Sequence, residues 1–235
     1  IRGTCESYFY ITKDRCKNWL GPYSFPMFGL GGVAARPDIV SHQSHPNRCI
    51  FLLTATKPDG DQGRVFCAET KDAGQSFQFL SWLREFPEGI ENMPSTVRLS
   101  SGRLLTALRC RSSLESIGWI DLMYSDDEGI NWHSLSRPVQ GTGAAGNPPV
   151  LLLLSDGRLC LIYGYRGEGA GIRYVTSANS GRSWGREIIL RDDAGNHDVG
   201  YPRAIERPDG NVVVVYYHND VADGDRYIAA TIWKP

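Results

Sequence analysis

The stretch YSDDEGINW, residues 124–132, places three consecutive acids before a glycine and a tryptophan. The same pattern, Ser/Thr-x-Asp/Asn-x-Gly-x-x-aromatic, recurs in TKDAGQSF (70–77) and SANSGRSW (177–184). TKDRCKNW (12–19) fits it except that Cys16 replaces the glycine. The four copies begin at residues 12, 70, 125 and 177, so they are 58, 55 and 52 residues apart. A regular interval of this size indicates one structural unit repeated along the chain.

A second landmark repeats out of phase with the first. Pro37, Pro94, Pro148 and Pro202 each open an apolar run. Three of these runs lead into a glycine turn and another strand: SSGRLLTALRCR, SDGRLCLIYGYR and PDGNVVVVYYHN. Each unit therefore consists of strand a, a tight turn, strand b, a loop, strand c, the acidic turn and strand d. Four strands in about fifty residues are typical of a β-propeller blade.

The sequence predicts a single all-β domain over residues 1–235, because no segment has convincing helical periodicity. Three blades are complete, at about 30–82, 93–137 and 147–191. Residues 1–26 supply only strands c and d, and residues 201–235 supply only strands a to c. We therefore expect an incomplete or shortened propeller. It is either a fragment or a ring of four or five blades in which the two ends share one blade.

The repeated turn has a local physical explanation. The acid at its third position can accept hydrogen bonds from nearby backbone N–H groups, and the glycine supplies the left-handed corner. The following aromatic side chain can pack between strands. This predicts that Asp127 is structural and that Asp126 and Glu128 point to solvent. The structural position is occupied in the four copies by Asp14, Asp72, Asp127 and Asn179.

Composition excludes several function classes. The chain has 25 basic and 26 acidic residues, so it has no global attraction to nucleic acid or anionic membranes. No apolar run approaches the roughly 20 residues of a membrane span. The N-terminus lacks a signal-peptide pattern, so an export signal has been removed or never existed. The six cysteines form no CxxC pair, so they do not predict a zinc site; they are either disulfide-bonded or buried thiols.

The repeated turns resemble the Asp box, or BNR repeat, of the sialidase superfamily. The segments GPYSFPMFG (21–29), MPSTVRLSSGRLLTALR (93–109) and GYPRAIERPDGNVVVVYY (200–217) are also similar to bacterial BNR-repeat proteins. The resemblance implies a propeller, which has six blades in a sialidase, and on that basis we expect the first blade and a half to be absent from this chain. Asp boxes also occur in other secreted propellers, and we expect a secreted or periplasmic protein.

The strand order locates the face where a ligand would bind. The acidic turns lie on one face, and the loops that start strand a and end strand b lie on the other. By analogy with other propellers, ligands gather there, at the central mouth. An arginine fork suits a carboxylate, which predicts binding of an anionic sugar such as a sialic or uronic acid. The candidate binding residues are Arg36, Arg109, Arg111, Tyr165, Arg166 and Arg203. The alternative is that each arginine is a solvated strand-end residue with an acid nearby.

The resemblance implies specific roles for some of these residues. Sialidases use an arginine triad, a tyrosine nucleophile paired with a glutamate, and an aspartic acid/base. Arg109 matches one triad arginine, whereas the family's glutamate falls on Met93, which cannot accept a proton. Glu91 is the nearest replacement.

The remaining catalytic candidates follow from position. Tyr201 is the candidate nucleophile, with Tyr163 and Tyr165 as rivals. Asp198 is the candidate acid or base, and Asp38 is the nearest counterpart of the family's aspartate.

Three functions remain open at this stage. The first is a sialidase-like glycosidase acting on an acidic or complex glycan. The second is a glycan-binding propeller without hydrolysis, which the methionine at position 93 favours. The third is a scaffold propeller that binds protein. No cofactor or metal site is predicted, since the sequence has neither a glycine-rich phosphate loop nor a His/Asp cluster at metal spacing.

Overall fold

The computed structural model describes residues 5–42, 44–60 and 62–235, and this part of the chain consists of β-strands joined by turns and loops. No helix long and apolar enough to cross a membrane occurs among these residues. The strands are β1 (Tyr8–Ile11), β2 (Leu20–Ser24), β3 (Val33–Ser41), β4 (Cys49–Thr56), β5 (Gln62–Thr70), β6 (Gln78–Trp82), β7 (Ile90–Arg98), β8 (Leu104–Arg111), β9 (Gly118–Ser125), β10 (His133–Val139), β11 (Pro149–Leu153), β12 (Leu159–Tyr165), β13 (Gly171–Ser177), β14 (Ile188–Arg191), β15 (Gly200–Glu206), β16 (Val212–His218) and β17 (Tyr227–Trp233).

These strands form successive antiparallel sheets in chain order, which are the blades of a β-propeller. β3–β6, β7–β10 and β11–β14 are four-stranded, β15–β17 is three-stranded, and β1 pairs with β2. The predicted all-β propeller fold is therefore confirmed. The first four residues of the predicted segment 1–26 lie outside the described residues.

The hydrophobic core is divided into clusters between neighbouring blades. Side chains of β8 alternate between two clusters: Leu104 and Leu108 pack toward the preceding blade, and Leu105 and Ala107 pack toward the next one. All four are fully buried. Because a blade strand is covered on both faces, its sequence is a continuous apolar run rather than an alternating one. This is why the strands after the glycine turns, such as β8, contain few polar residues.

In all four copies of the acidic turn the side chain at the third position accepts a hydroxyl and the backbone N–H four residues later. In the copy after β5, Asp72 Oδ1 accepts the backbone N–H groups of Gln75 and Ser76 at 3.0 and 2.9 Å. Thr70 Oγ1 donates to the same oxygen at 2.8 Å. Gly74 has a φ of 88°, and Ala73 before it also has a positive φ, of 59°. The turn thus needs two left-handed residues, of which only the second is a glycine.

The structure corrects one expectation about this turn. Asp126 is exposed, but it does not simply point to solvent, since Arg103 binds both its oxygens at 2.7 Å. Glu128 is partly buried and is paired with Arg98, with an Nη2–Oε2 distance of 3.0 Å. Both arginines flank the turn that joins β7 to β8, which lies beside the acidic turn. The neighbours of Asp127 are therefore paired surface groups.

The acidic turns also join one blade to the next. Ser81 Oγ in β6 donates to the carbonyl of Gly129, in the turn of the following blade, at 2.6 Å. Ser136 Oγ in β10 makes the same bond to Gly181, also at 2.6 Å. A Cβ on Gly181 would lie 2.3 Å from Leu122 Cδ2, so the close approach of the blades requires glycine there. We call these two bonds the serine–glycine staples.

Cysteines contribute to the core as thiols. No disulfide joins any of the six cysteines, all of which lie in the described ranges. Cys67, Cys110 and Cys160 are buried. Burial raises the pKa of Cys67 and of Cys160 to about 12 in each case. These two thiols remain protonated at neutral pH, which makes them packing residues rather than reactive ones.

Candidate functional site

The first strand of three blades, β3, β7 and β15, carries a β-bulge beside its proline. The pairing register shifts between Ala34 and Asp38 in β3, between Asn92 and Ser95 in β7, and between Gly200 and Arg203 in β15. Within these bulges Met93 and Tyr201 have φ values of 51° and 53°. A bulge redirects the side chains next to it. The bulges meet at a cavity of about 280 Å³, which we call the mouth; it is lined by Ala35, Arg36, Pro37, Met93, Pro94, Pro148, Tyr201 and Arg203.

Arg109 lies beside the mouth as a buried and uncompensated charge. Its side chain is 4% exposed. Nη1 lies 3.4 Å from both the Tyr201 hydroxyl and Met93 Sδ, and Nη2 donates to the carbonyl of Ala145 at 2.5 Å. Nε has no hydrogen-bond partner. Burial, together with the nearby charge of Arg111, lowers the pKa of Arg109 to about 10. The environment therefore disfavours the charged form of this arginine.

The carbonyl of Ala145 holds two arginines at once. Arg111 Nη1 also donates to this oxygen, at 2.9 Å. Ala145 lies in the loop between β10 and β11 with a φ of 59°, next to Gly146, whose φ is 67°. Burial lowers the pKa of Arg111 as well. Two guanidinium groups thus share one neutral acceptor, and no ion pair in the described part of the chain neutralises either of them.

A second arginine approaches Tyr201 from the next blade. The guanidinium carbon of Arg166 lies 6.0 Å from the centre of the Tyr201 ring. Its Nη2 donates to the Tyr217 hydroxyl at 2.6 Å, and its Nε donates to the carbonyl of Val199 at 3.2 Å. The rings of Tyr201 and Tyr217 are 5.7 Å apart. The candidate nucleophile is therefore surrounded by positive charge on two sides.

Asp198 is held in its ionised form behind this arginine. It accepts a hydrogen bond from Tyr217 at 2.9 Å and another from Arg226 Nε at 2.9 Å. Burial alone would raise the pKa of Asp198, but these hydrogen bonds outweigh it, so the pKa lies below the usual value. A carboxylate in this state can accept a proton or bind a cation, but it is a poor general acid at neutral pH.

A carboxyl group with the opposite shift directly follows Pro37, which lines the mouth. Asp38 in β3 accepts a hydrogen bond from the backbone N–H of Thr96. Burial raises the pKa of Asp38, although hydrogen bonds from Thr96 and the charge of Arg203 act against the shift. The pKa values of Asp38 and Asp198 are therefore shifted in opposite directions.

A buried amide fixes the position of Tyr201. Asn147 is fully buried; its Nδ2 donates to the carbonyl of Val199 at 2.7 Å, and its Oδ1 accepts the backbone N–H of Tyr201 at 3.2 Å. Gly200 has a φ of 121°, and a Cβ there would lie 2.2 Å from Asn147 Nδ2. The amide therefore holds the bulge in a shape that only glycine allows.

The structure brings together most, but not all, of the predicted site residues. Arg36, Tyr201 and Arg203 line the mouth, Arg109 contacts Tyr201, and Arg166 stands over its ring. Tyr165 instead stacks on Arg173, with 3.4 Å between the guanidinium carbon and the ring centre. Tyr163 is buried and donates to Glu187. Residues two positions apart in a strand face the same side of a blade. Tyr163 and Tyr165 therefore both point into the packing on one side of β12 and away from the mouth.

Glu91 does not fit the role expected of it. It is buried in β7, where its carboxylate pairs with Arg84, and the same guanidinium lies 3.2 Å from Asp121. The bulge at Met93 separates Glu91 from the residues that reach the mouth, because it breaks the alternation of side chains along the strand. Glu91 is therefore part of an ion-pair cluster between blades.

The same cluster brings potential metal ligands together. One ligand atom each from Glu91, Cys110 and Asp121 lies within 4.8 Å of the others. Arg84 and Arg137 already bind the two carboxylates, the latter at 2.8 Å from Asp121. Burial raises the pKa of Cys110 well above its usual value, so the thiol is protonated. Two carboxylates neutralised by two arginines do not suit a divalent cation.

A larger cavity, of about 950 Å³, lies between the β1–β2 sheet and the turn after β5. It is lined by Phe9, Tyr23, Phe77 and other mostly apolar side chains, without an arginine or a carboxylate. Size alone does not make this cavity a better candidate than the mouth, where convergent polar groups surround a reactive side chain.

Comparison with known proteins supports the fold. A protein of unknown function from Dyadobacter fermentans superimposes with a TM-score of 0.79 and 24% identity, over 96% of this chain and 63% of that one. The GH93 α-L-arabinofuranosidase of Fusarium graminearum, solved with arabinobiose, superimposes with a TM-score of 0.64 and 17% identity, over 84% of this chain and 61% of that one. The Penicillium chrysogenum α-L-arabinanase, also solved with arabinobiose, superimposes with a TM-score of 0.57 and 17% identity, over 83% of this chain and 62% of that one.

The chain therefore spans less than two thirds of the length of these three proteins. No protein-family model matches the sequence, and a search of curated proteins finds no match either. Neither of the two named activities is a sialidase. At these identities the likeness establishes the architecture: this chain has a β-propeller fold that it shares with glycoside hydrolases.

Proposed function

We propose that the mouth binds a sugar that carries a carboxylate, and that the chain acts on acidic glycans as a sialidase-like glycoside hydrolase. Arg109 is the observation that carries this proposal. A buried guanidinium without a counter-ion costs several kcal/mol, and a ligand carboxylate beside it would offset that cost. Arg36 and Arg203 line the mouth and Arg166 stands over the ring of Tyr201, so a carboxylate could be bound from several sides.

The nature of the neighbours supports a carbohydrate ligand. Two of them are named for activity on arabinose-containing substrates and were solved with arabinobiose. An uncharged pentose offers nothing for several arginines to neutralise. The excess of positive charge at the mouth therefore favours a sialic or uronic acid over a neutral sugar.

The geometry also supports a division of catalytic roles. Tyr201 is 42% exposed and accepts a hydrogen bond from Arg109, and the nearby guanidinium groups would stabilise its anion as it attacks the anomeric carbon. Asp38, with its raised pKa, would protonate the leaving group. Asp198, which stays ionised, would accept protons. Two carboxyl groups with pKa values shifted in opposite directions are the pattern that acid/base catalysis uses.

A second candidate function is glycan binding without hydrolysis. The side chain next to both Arg109 and Tyr201 is the thioether of Met93, which cannot accept the tyrosine proton. Glu91, the nearest glutamate, is engaged by Arg84. These observations favour a lectin-like protein.

Turnover and binding can be measured separately. The wild-type chain is incubated with fluorogenic umbelliferyl sialosides and glucuronides, and N-acetylneuraminic and glucuronic acids are titrated by calorimetry. We expect release of the fluorophore, which Tyr201→Phe abolishes while binding of the acids persists. Binding without turnover in the wild type supports the lectin alternative. The proposal fails if neither acid binds, or if the methyl esters of the acids bind equally well.

A further inference from the structure

Tyr217 separates two charged groups that would otherwise pair. Arg166 Nη2 and Asp198 Oδ1 are 4.0 Å apart, at the outer limit of an ion pair. The Tyr217 hydroxyl lies between them, accepting from Arg166 at 2.6 Å and donating to Asp198 at 2.9 Å. Direct arginine–carboxylate bonds are about 2.7–2.9 Å long. The hydroxyl therefore occupies the space into which the two charges would otherwise collapse.

This arrangement leaves part of Arg166 available. Nε and Nη2 are used by Val199 and Tyr217, whereas Nη1 donates no hydrogen bond to the described residues. The guanidinium stands over the ring of Tyr201, with its side chain 11% exposed. A direct pair with Asp198 would draw the guanidinium toward the rim. It would also neutralise the charge that attracts a ligand carboxylate.

Asp198 has a cation of its own. Arg226 Nε binds its second oxygen at 2.9 Å, so the carboxylate is compensated without Arg166. Burial and the hydrogen bond to Asp198 raise the pKa of Tyr217 to about 12, against the opposing charge of Arg166. The hydroxyl is thus protonated at neutral pH and can donate to Asp198 while it accepts from Arg166.

We infer that Tyr217 is a positioning residue: its hydroxyl keeps Arg166 out of a direct ion pair with Asp198 and so holds that guanidinium in the mouth for an acidic ligand. This inference rests on the proposed acidic-glycan site. It assigns a task to a residue that touches neither the proposed nucleophile's hydroxyl nor the expected position of the ligand carboxylate.

The test compares two adjacent tyrosines. Tyr217→Phe removes the separating hydroxyl, and we expect binding of N-acetylneuraminic acid to weaken by roughly 10- to 100-fold, the value of a hydrogen bond to a charged group. Tyr216→Phe is the matched control, since its hydroxyl bonds Thr231 at 2.7 Å instead. Binding by this variant should remain within about twofold of wild type. The double variant Tyr217→Phe/Asp198→Asn removes the competing carboxylate, and binding should recover most of the loss.

A crystal structure of Tyr217→Phe supplies a readout that needs no ligand. We expect the distance from Arg166 to Asp198 to shorten from 4.0 Å to that of a direct salt bridge. An unchanged distance, unchanged affinity, or a loss of affinity that Asp198→Asn does not rescue would each overturn the inference. If the wild type binds neither acid, the proposed function fails, and the crystal structure still decides whether Tyr217 separates the two charges.

Discussion

Arg109 and Tyr201 meet in space although they are 92 residues apart, with 3.4 Å between Nη1 and the hydroxyl. Arg109 has no carboxylate partner in the described part of the chain, whereas Arg84, also close to the core, pairs with Glu91 and Asp121. Removal of the two side chains should therefore affect stability differently, since only Arg109 is a buried charge without compensation.

Replacing each arginine by methionine tests this difference. Arg109→Met should leave the free energy of unfolding unchanged or raise it, and should abolish the affinity for N-acetylneuraminic acid. Arg84→Met leaves the Glu91 carboxylate buried and unpaired, which should lower stability by roughly 3 kcal/mol. Urea unfolding measures both values. Equal destabilisation by the two substitutions would contradict the assignment of Arg109 as an uncompensated charge.

A carboxylate introduced at position 93 would compete with the ligand. The Met93 sulfur now lies 3.4 Å from Arg109 Nη1, so Met93→Glu places a carboxylate within contact distance of the guanidinium. We expect higher stability and weaker binding of N-acetylneuraminic acid, because the new ion pair occupies the guanidinium. Met93→Gln, of similar size and uncharged, is the control. If Met93→Glu instead increases hydrolysis of the sialoside, the new carboxylate serves as a base for Tyr201.

Acid should destabilise the fold through the repeated turn. Hydrogen bonds from Ser76 to Asp72, and from Asn18 to Asp14, lower the pKa of each carboxyl from 3.8 to about 2. Because the folded-state pKa lies below the unfolded value, this stability is present above pH 3.8 and is lost as the pH falls through about 2. Asp72→Asn should flatten the dependence of unfolding free energy on pH in this window. Asn179 already occupies the position in the fourth copy, so the turn tolerates the amide.

Two glycines with positive φ should respond differently to alanine. A Cβ at Gly157 meets nothing within 4 Å, so Gly157→Ala incurs only the backbone strain of a left-handed residue, about 1–2 kcal/mol. At Gly200 the Cβ would also collide with Asn147, at 2.2 Å. Gly200→Ala should therefore cost more stability and displace Tyr201. Calorimetric binding and thermal unfolding of the two variants check this, and equal effects would argue against the role of Asn147.

The blade architecture could be predicted because its signals are local and repeated. Each acidic turn combines residues within eight positions, and four copies fix the phase of the strands between them. That phase also identified the face on which Arg109, Arg166 and Tyr201 meet. By contrast, Glu91 was misjudged because the bulge at Met93 changes the direction of side chains within β7. Sequence periodicity does not reveal such a shift.

Tyr217 was missed for a different reason. It lies in VVVVYYH, a continuous run of apolar and aromatic residues, and the run itself does not tell which of its two tyrosines faces the mouth. The side is decided by the cluster in which Tyr216 packs with Cys160 and Ile162 of β12, which are far away in sequence. Arg226 was missed because the loop between strands b and c, in which it lies, has a different sequence in each blade.

The serine–glycine staples have a consequence for how this protein can change over evolution. Since the staples fasten blades to each other at the rim remote from the mouth, the exposed parts of the opposite loops, such as residues 112–115, need not do so. The residues of those segments can be replaced, lengthened or given different charges while the distances between the blades stay the same. A graft at residues 112–115, in the exposed loop between β8 and β9, would then change the charge beside the mouth without dismantling the ring of strands that presents it.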